Sequence, residues 1–170
     1  NERRINAIPT DREIEINLRI GMILPDLLSH SLDIVFCGTA VGNKSAKRNA
    51  YYAGTSNQFY SILKKSDLTP YMLKPEEYVN LLSFKFGLTD LAKNCVGNDS
   101  EIKNSDYDVI SFKQKIIKYK PKIVCFNGKE AAKAYFNLTN TFEISYGLQA
   151  ETLYGTKLYV APSTSSAARK

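Results

Sequence analysis

The sequence predicts an α/β protein, a three-layer sandwich around a short, mostly parallel four-stranded sheet. Two observations lead to this prediction. Four short apolar segments alternate with segments that have helical periodicity, a pattern typical of βαβ units with right-handed crossovers. The chain has 170 residues, of which 44% are apolar or aromatic, which suits one domain with a substantial core. No repeat or low-complexity tract interrupts the pattern, so residues 1–170 are expected to form a single domain.

The four strands are predicted at 33–37, 86–91, 122–126 and 157–161. The first helix is predicted at 57–65, where Phe59, Ile62 and Leu63 fall on one face. A second is predicted at 75–82. A third, at 111–119, has Phe112 and Ile116 at helical spacing, and a short fourth covers 128–136.

Ligands of such sheets bind beyond the carboxyl ends of the strands, so the residues that follow each strand are the candidates for a site. The four strand ends are predicted to be the loop at 38–42, residues 89–91, residues 127–129 and the hydroxyl-rich stretch 162–166. The loops at 38–42 and 162–166 contain glycine, serine and threonine, which allow close approach of a ligand to the backbone.

The stretch from Gly38 to Ser45 reads GTAVGNKS, which matches the phosphate-binding pattern G-x-x-x-x-G-K-[ST] except at Asn43. A second glycine lets backbone amides close around phosphate oxygens, and asparagine replaces it here. A phosphate-loop enzyme also needs an acidic residue at a neighbouring strand end to hold magnesium, and Asp90 is the one candidate. A nucleotide-binding α/β domain therefore remains an alternative.

Composition limits the possible functions. The chain has 23 lysines and arginines against 17 acidic residues, a net charge of +6, which suits a polyanionic partner. No membrane segment or signal peptide is apparent, so we expect a cytoplasmic protein with no membrane partner. The three cysteines are far apart and lie in apolar runs, which favours buried free thiols. With a single histidine, neither a metal site nor a cofactor is expected.

Six segments together resemble the uracil-DNA glycosylase superfamily, and most closely its mismatch-specific branch of bacterial mug-type and thymine-DNA glycosylase enzymes. The resemblance covers most of the chain and depends on the order and spacing of the segments. They are LPDLL at 24–28, GTAVG at 38–42, YYAG with NQFY at 51–60, GLTDLAK at 87–93, FNGK at 126–129 and APSTSSAAR at 161–169.

This resemblance implies a monofunctional DNA glycosylase that flips uracil out of double-stranded or G:U mismatched DNA and excises it hydrolytically. It also implies the base excision repair pathway, a monomeric protein and a location in the bacterial cytosol or nucleoid. Acceptance of thymine, hypoxanthine or xanthine depends on the shape of the pocket, which the sequence does not fix.

The resemblance also assigns roles to individual residues. Tyr52 falls where the family places the aromatic ring that stacks on the flipped base, with core packing as the alternative. Lys44 and the loop after the fourth strand are expected to hold DNA, and Thr164, Ser166 and Ala167 are small enough to enter the base stack. The residues expected to bind the base are Gly38, Thr39, Ala40, Gly42, Ser45, Tyr52 and Asn57. Those expected to bind DNA are Lys44, Ser163, Thr164, Ser165, Ser166, Ala167 and Arg169.

The sequence departs from the family pattern at Ala40, where the mismatch branch carries a water-holding asparagine. Asp90 is the candidate catalytic residue in its place, since an ionised carboxylate can orient the attacking water and stabilise a cationic sugar. A helix N-cap is the structural alternative for Asp90. A catalytically silent relative that binds DNA lesions is the functional alternative.

Overall fold

The computed structural model describes residues 23–165, which form a five-stranded mixed sheet with helices on both faces. The strand order is β2-β1-β3-β5-β4, in which β1, β2, β3 and β5 are parallel and β4 runs antiparallel beside β5. The strands are β1 (Ile34–Val41), β2 (Phe86–Val96), β3 (Ile123–Asn127), β4 (Gly147–Leu153) and β5 (Thr156–Ala161).

Four α-helices and two 3₁₀ helices complete the described chain. They are α1 (Asn43–Arg48), α2 (Phe59–Lys65), α3 (Val109–Tyr119), α4 (Lys129–Phe136) and the 3₁₀ helices Pro75–Phe84 and Asn104–Asp106. Within residues 23–165, no helix has both the length and the apolar character needed to cross a membrane.

Each face of the sheet has its own hydrophobic core, which makes the predicted three-layer arrangement. Successive residues of a strand point to opposite faces, so Val35 and Cys37 of β1 pack under α3 and α4 while Phe36 packs under α2. The same alternation places Val124 of β3 in the first core and Cys125 in the second. The predicted α/β class and mostly parallel sheet are therefore confirmed.

The predicted number of strands is wrong by one. Strand β4 lies at the edge of the sheet and most of its side chains are exposed or half-buried, so its sequence, GLQAETL, lacks a buried strand's apolar run. Strands β1 and β2 are also longer than predicted, because residues 38–41 continue β1 and residues 92–96 continue β2. Helix α1 was not predicted.

The segment that precedes β1 covers the free edge of β2. Leu27 and Leu88 exchange two backbone hydrogen bonds of 2.9 Å, in an isolated antiparallel bridge. Gly87 permits this approach, because a Cβ at that position would lie 2.7 Å from the Leu27 carbonyl oxygen. Asp26 is thereby placed beside the middle of β2.

Candidate functional site

A cavity of about 660 Å³ opens beyond the carboxyl ends of β1, β3 and β5, with the middle of β2 forming part of its wall. The structure brings together around it every predicted site residue within 23–165. These are Gly38, Thr39, Ala40, Gly42, Lys44, Ser45, Tyr52, Asn57, Asp90, Ser163, Thr164 and Ser165. The predicted DNA contacts Ser166, Ala167 and Arg169 lie outside the described residues.

Strands β1 and β2 place Asp90 against Gly38. The two residues are partners in the parallel register, and a Cβ at Gly38 would lie 2.6 Å from Asp90 Oδ1. Strands β1 and β2 are neighbours, as a site built from Asp90 and the 38–42 loop requires, but Asp90 lies within β2 and not at its end. The helix N-cap alternative is wrong, because no helix follows Asp90.

Asp90 is an almost completely buried carboxyl group on the cavity wall, with 3% of its surface exposed. Burial raises its pKa above the ordinary aspartate value, and the charge of Lys93 acts in the opposite direction. A carboxylate with a raised pKa is a better proton acceptor, which suits general-base chemistry.

A buried group of charges lies behind Asp90. Lys93 Nζ is 3.6 Å from Asp90 Oδ2 and 3.1 Å from Asp26 Oδ1. Lys115 of α3 binds the other oxygen of Asp26 at 2.6 Å. Thr89 Oγ1 also donates to Asp26, at 2.7 Å. Two carboxylates and two ammonium groups therefore balance one another beneath the cavity.

Tyr51 and Tyr52 have different positions, as expected for adjacent rings that cannot share one face. Tyr51 is buried, and its hydroxyl accepts a 2.7 Å hydrogen bond from Lys93 and donates at 3.1 Å to the Pro25 carbonyl. Tyr52 is half-buried with φ of 54°, and its ring stacks on Phe59 with centroids 4.1 Å apart. One face of the Tyr52 ring thus packs against the protein, while the residue lines the cavity.

The hydroxyl-rich loop after β5 is fixed to the end of β3. Asn127 donates through Nδ2 to Thr164 Oγ1 and accepts at Oδ1 from the Thr164 amide, both at 2.9 Å. The Thr164 carbonyl accepts from the Gln58 amide at 3.0 Å. Thr164 is therefore a buried anchor, 8% exposed, and this position argues against the prediction that its side chain enters the base stack. Ser163 and Ser165 remain on the cavity wall.

Three further predicted residues order the cavity rim. Ser45 Oγ accepts from the Ala53 amide at 3.0 Å, and Asn57 Oδ1 accepts from the Phe59 amide at 2.9 Å at the start of α2. The exposed Lys44 donates to Thr55 Oγ1 at 3.0 Å.

The stretch from Gly38 to Ser45 does not form a phosphate loop. Residues 38–41 belong to β1, and Gly42, in an extended conformation with φ of −71°, joins β1 directly to α1. Among the described residues, none from 38 to 45 has a positive φ. Alternating right- and left-handed residues are what turn backbone amides into an anion-binding nest, and this stretch lacks them.

Open backbone is nevertheless present beside the cavity. Strand β1 pairs with β3 only from Ile34 to Cys37, whereas its pairing with β2 continues past Gly38. From Gly38 onward the edge of β1 that faces away from β2 has no strand partner among residues 23–165. Its amide and carbonyl groups are placed where a bound ligand can meet them.

Sequence reasoning gave no role to several residues that line or support the cavity. Asn127 is the last residue of β3, at the carboxyl edge of the sheet, and that position marked it as a candidate. Asp99 accepts a hydrogen bond from Thr39, but it reaches the cavity only because β2 runs past its predicted end. Asp26 and Lys93 lie within the segments 24–28 and 87–93 that carry the family resemblance, but sequence reasoning assigned no role to either residue. Among the described residues, no cluster of three or more histidine, cysteine or acidic side chains is arranged to hold a metal.

The thiols are free, as expected, but only two of the three are buried. Cys37 and Cys125 lie in the two cores, whereas Cys95 is half-buried near the end of β2. The prediction of burial is wrong for Cys95.

Comparison with known proteins agrees with this geometry. The family model of the Uracil DNA glycosylase superfamily matches residues 25–170. The fold is similar to the solution NMR structure of a candidate uracil DNA glycosylase from Methanosarcina acetivorans, with a TM-score of 0.58. The two proteins are 23% identical, over 86% of this chain and 85% of the other, a likeness that supports the common fold.

Proposed function

We propose that this chain, a DNA glycosylase that belongs to the uracil DNA glycosylase superfamily, excises uracil from double-stranded or G:U mismatched DNA in base excision repair. We place it in the mismatch-specific branch. One observation carries the proposal: a buried carboxylate, Asp90, lies on the wall of a cavity large enough for a flipped base. Cavities of roughly 300 to 1,000 Å³ are typical of small-ligand sites.

In the proposed reaction the flipped uracil enters the cavity beside Tyr52. Asp90 orients a water molecule towards C1′ of the deoxyribose. The water oxygen bonds to C1′, the C1′–N1 bond breaks with its electrons on the uracil ring, and Asp90 accepts a proton from the water. The negative charge of Asp90 also stabilises the oxocarbenium-like sugar in the transition state.

The other parts of the cavity support binding. The open edge of β1 from Gly38 onward offers backbone groups to the base, and the Tyr52 ring offers a stacking surface. Stacking of this kind contributes about 1 to 3 kcal/mol per base. Ser163 and Ser165, held near the cavity by the Thr164 anchor, contact DNA phosphates.

Excision is tested with a duplex oligonucleotide that contains one uracil opposite guanine, followed by alkaline cleavage of the abasic product. Strand breaks are expected for the parent protein. A band shift without strand breaks would contradict catalysis and identify the catalytically silent alternative. Parallel duplexes with thymine, hypoxanthine and xanthine opposite each base define the specificity.

The role of Asp90 is tested by Asp90→Asn, which keeps the size of the side chain and removes its charge. We expect single-turnover excision to fall by about 10²-fold or more, while binding to an abasic duplex persists. Adding Ala40→Asn should restore part of the rate, because an amide at that position can hold the water. Asp67→Asn, whose position does not line the cavity, is the matched control and should excise at the parent rate. Parent-like excision by Asp90→Asn would show that another group holds the water.

A further inference from the structure

We propose that Lys93 is a positioning residue that acts through Asp90: it holds that carboxyl group in its ionised form and fixes it against the cavity wall. The inference depends on the proposed role of Asp90 in excision. Lys93 itself is buried, with 8% of its side chain exposed, and its ammonium group lies behind the carboxylate. It acts on the site without lining the cavity.

The two carboxylate oxygens of Asp90 have different surroundings. Oδ2 is buried, makes no hydrogen bond within the described chain, and lies 3.6 Å from Lys93 Nζ, so the contact is an ion pair. Oδ1 is on the other side, against Gly38. Attraction between Lys93 and Oδ2 therefore orients the carboxylate and leaves Oδ1 directed at β1.

A strand irregularity makes the ion pair possible. Residues three apart in a regular strand point to opposite faces, so Asp90 and Lys93 could not meet in an undistorted β2. The register with β1 shifts just beyond Asp90: Ala40 pairs with Ala92, but Val41 pairs with Val96. Three extra residues of β2, beginning with Lys93, are accommodated in this bulge.

Lys93 is itself held by groups other than Asp90. Asp26 Oδ1 lies 3.1 Å from its ammonium group, and the Tyr51 hydroxyl accepts from it at 2.7 Å. The ammonium group also lies 5.3 Å from the centre of the Tyr51 ring. Burial lowers the pKa of Lys93, but Asp26 and Asp90 outweigh it and raise that pKa, so Lys93 stays charged at neutral pH.

The charges that face Asp90 come from three parts of the fold. Lys93 belongs to β2, Lys115 to α3 and Asp26 to the segment before β1. Cys37 of β1 and the two tyrosines at 51 and 52 complete the surroundings, and burial raises the pKa of all three, so they are neutral. Removing Lys93 leaves Asp90 buried beside Asp26, and both burial and Asp26 favour the protonated form of Asp90.

The test compares pH profiles of single-turnover excision for the parent and for Lys93→Gln, whose amide can still hydrogen-bond to Tyr51 and Asp26. We expect the acid limb of the profile to move to higher pH by about 1 to 3 pH units, the range for loss of an adjacent opposite charge. The rate should recover at alkaline pH. Lys93→Arg, which keeps the charge, should retain the parent profile. A uniform loss of rate at all pH values would show a merely structural role and overturn the proposal.

A second readout does not depend on catalysis. The ¹³C shift of the Asp90 carboxyl carbon, followed by NMR against pH in the free protein, should show a higher apparent pKa in Lys93→Gln than in the parent. Lys115→Gln, a substitution at a partly exposed residue, should raise the apparent pKa of Asp90 by a smaller amount, because Lys115 contacts Asp26 and not Asp90. Unchanged titration of Asp90 in Lys93→Gln would overturn the inference. If the parent protein does not excise uracil but Lys93→Gln still raises the apparent pKa of Asp90, the proposed function is overturned and the role of Lys93 is not.

Discussion

At the scale of single residues, the site depends on the absence of one side chain. Gly38 does not have a positive φ, so its backbone is open to other residues. Residues with a side chain are excluded at this position because Asp90 Oδ1 occupies the volume that a Cβ would need. The carboxylate and the glycine are therefore one structural unit.

We expect Gly38→Ala to destabilise the protein by about 1 to 3 kcal/mol, the usual cost of overpacking, and to reduce excision by displacing Asp90. Unfolding by urea and single-turnover excision measure the two effects. Gly42→Ala is the control for stability, because no atom lies within 4 Å of its added Cβ and its φ of −71° suits alanine. Equal unfolding midpoints for both variants would show that the carboxylate can move aside without cost.

At the scale of elements, the end of β3 holds the loop after β5. Asn127 lies opposite Ala161 in the parallel register, so the loop leaves the sheet beside it. Its amide satisfies both the hydroxyl and the backbone amide of Thr164. Strand pairing thus places the end of β3 beside the loop after β5, and the Asn127 side chain joins the two.

Asn127→Ala removes two hydrogen bonds, each contributing about 0.5 to 1.5 kcal/mol, and should release the loop. We expect faster hydrogen exchange at the Thr164 amide and weaker binding to an abasic duplex. Asn140→Ala is the matched control, since Asn140 accepts one hydrogen bond from the Phe142 amide in an exposed loop that does not line the cavity. Unchanged exchange at Thr164 would show that the Gln58 contact suffices to hold the loop.

At the scale of the whole molecule, a buried charge group joins three separate parts of the chain. Asp26 precedes the sheet, Lys93 lies in β2 and Lys115 lies in α3. Burial acts to raise the pKa of Asp26, but Lys93 and Lys115 outweigh it and lower the pKa below the ordinary value. Asp26 therefore stabilises the fold when it is ionised.

Asp26→Asn should reduce the free energy of unfolding at neutral pH by about 3 to 5 kcal/mol, because it removes the buried charge that pairs with both Lys93 and Lys115. The extra free energy of unfolding of the parent over Asp26→Asn is fully present above about pH 3.9, the ordinary aspartate pKa. It is lost as the pH falls through the lower pKa of folded Asp26. Urea unfolding from pH 7 to pH 2 measures this difference. Asp33→Asn, at the exposed ion pair with Lys122, is the control and should change stability little. A pH-independent deficit in Asp26→Asn would show that lost packing, and not charge, causes it.

The α/β class, the order of the four parallel strands and most of the residues that meet at the cavity could be predicted from the amino-acid sequence alone. These features are local, since a buried parallel strand such as 122–126 is apolar and a helix such as 111–119 repeats its apolar residues every three or four positions. The carboxyl ends of parallel strands then lie at one edge. Strand β4 could not be predicted, because an exposed edge strand does not need an apolar pattern.

The arrangement of the site residues depends on contacts that form only in the folded chain. The sequence pattern places Asp90 near the end of a strand, but its actual position depends on the register with Gly38 and on the continuation of β2 to Val96. Its pairing with Lys93 depends on a bulge, and the charge balance depends on Asp26, which is distant in sequence. Thr164 is predicted to be a DNA wedge, but in the structure it anchors its loop, because Asn127 at the end of the neighbouring strand β3 hydrogen-bonds to it. A local pattern records which face of an element is buried, but contacts between distant side chains depend on register and close approach, which the folded chain sets as a whole.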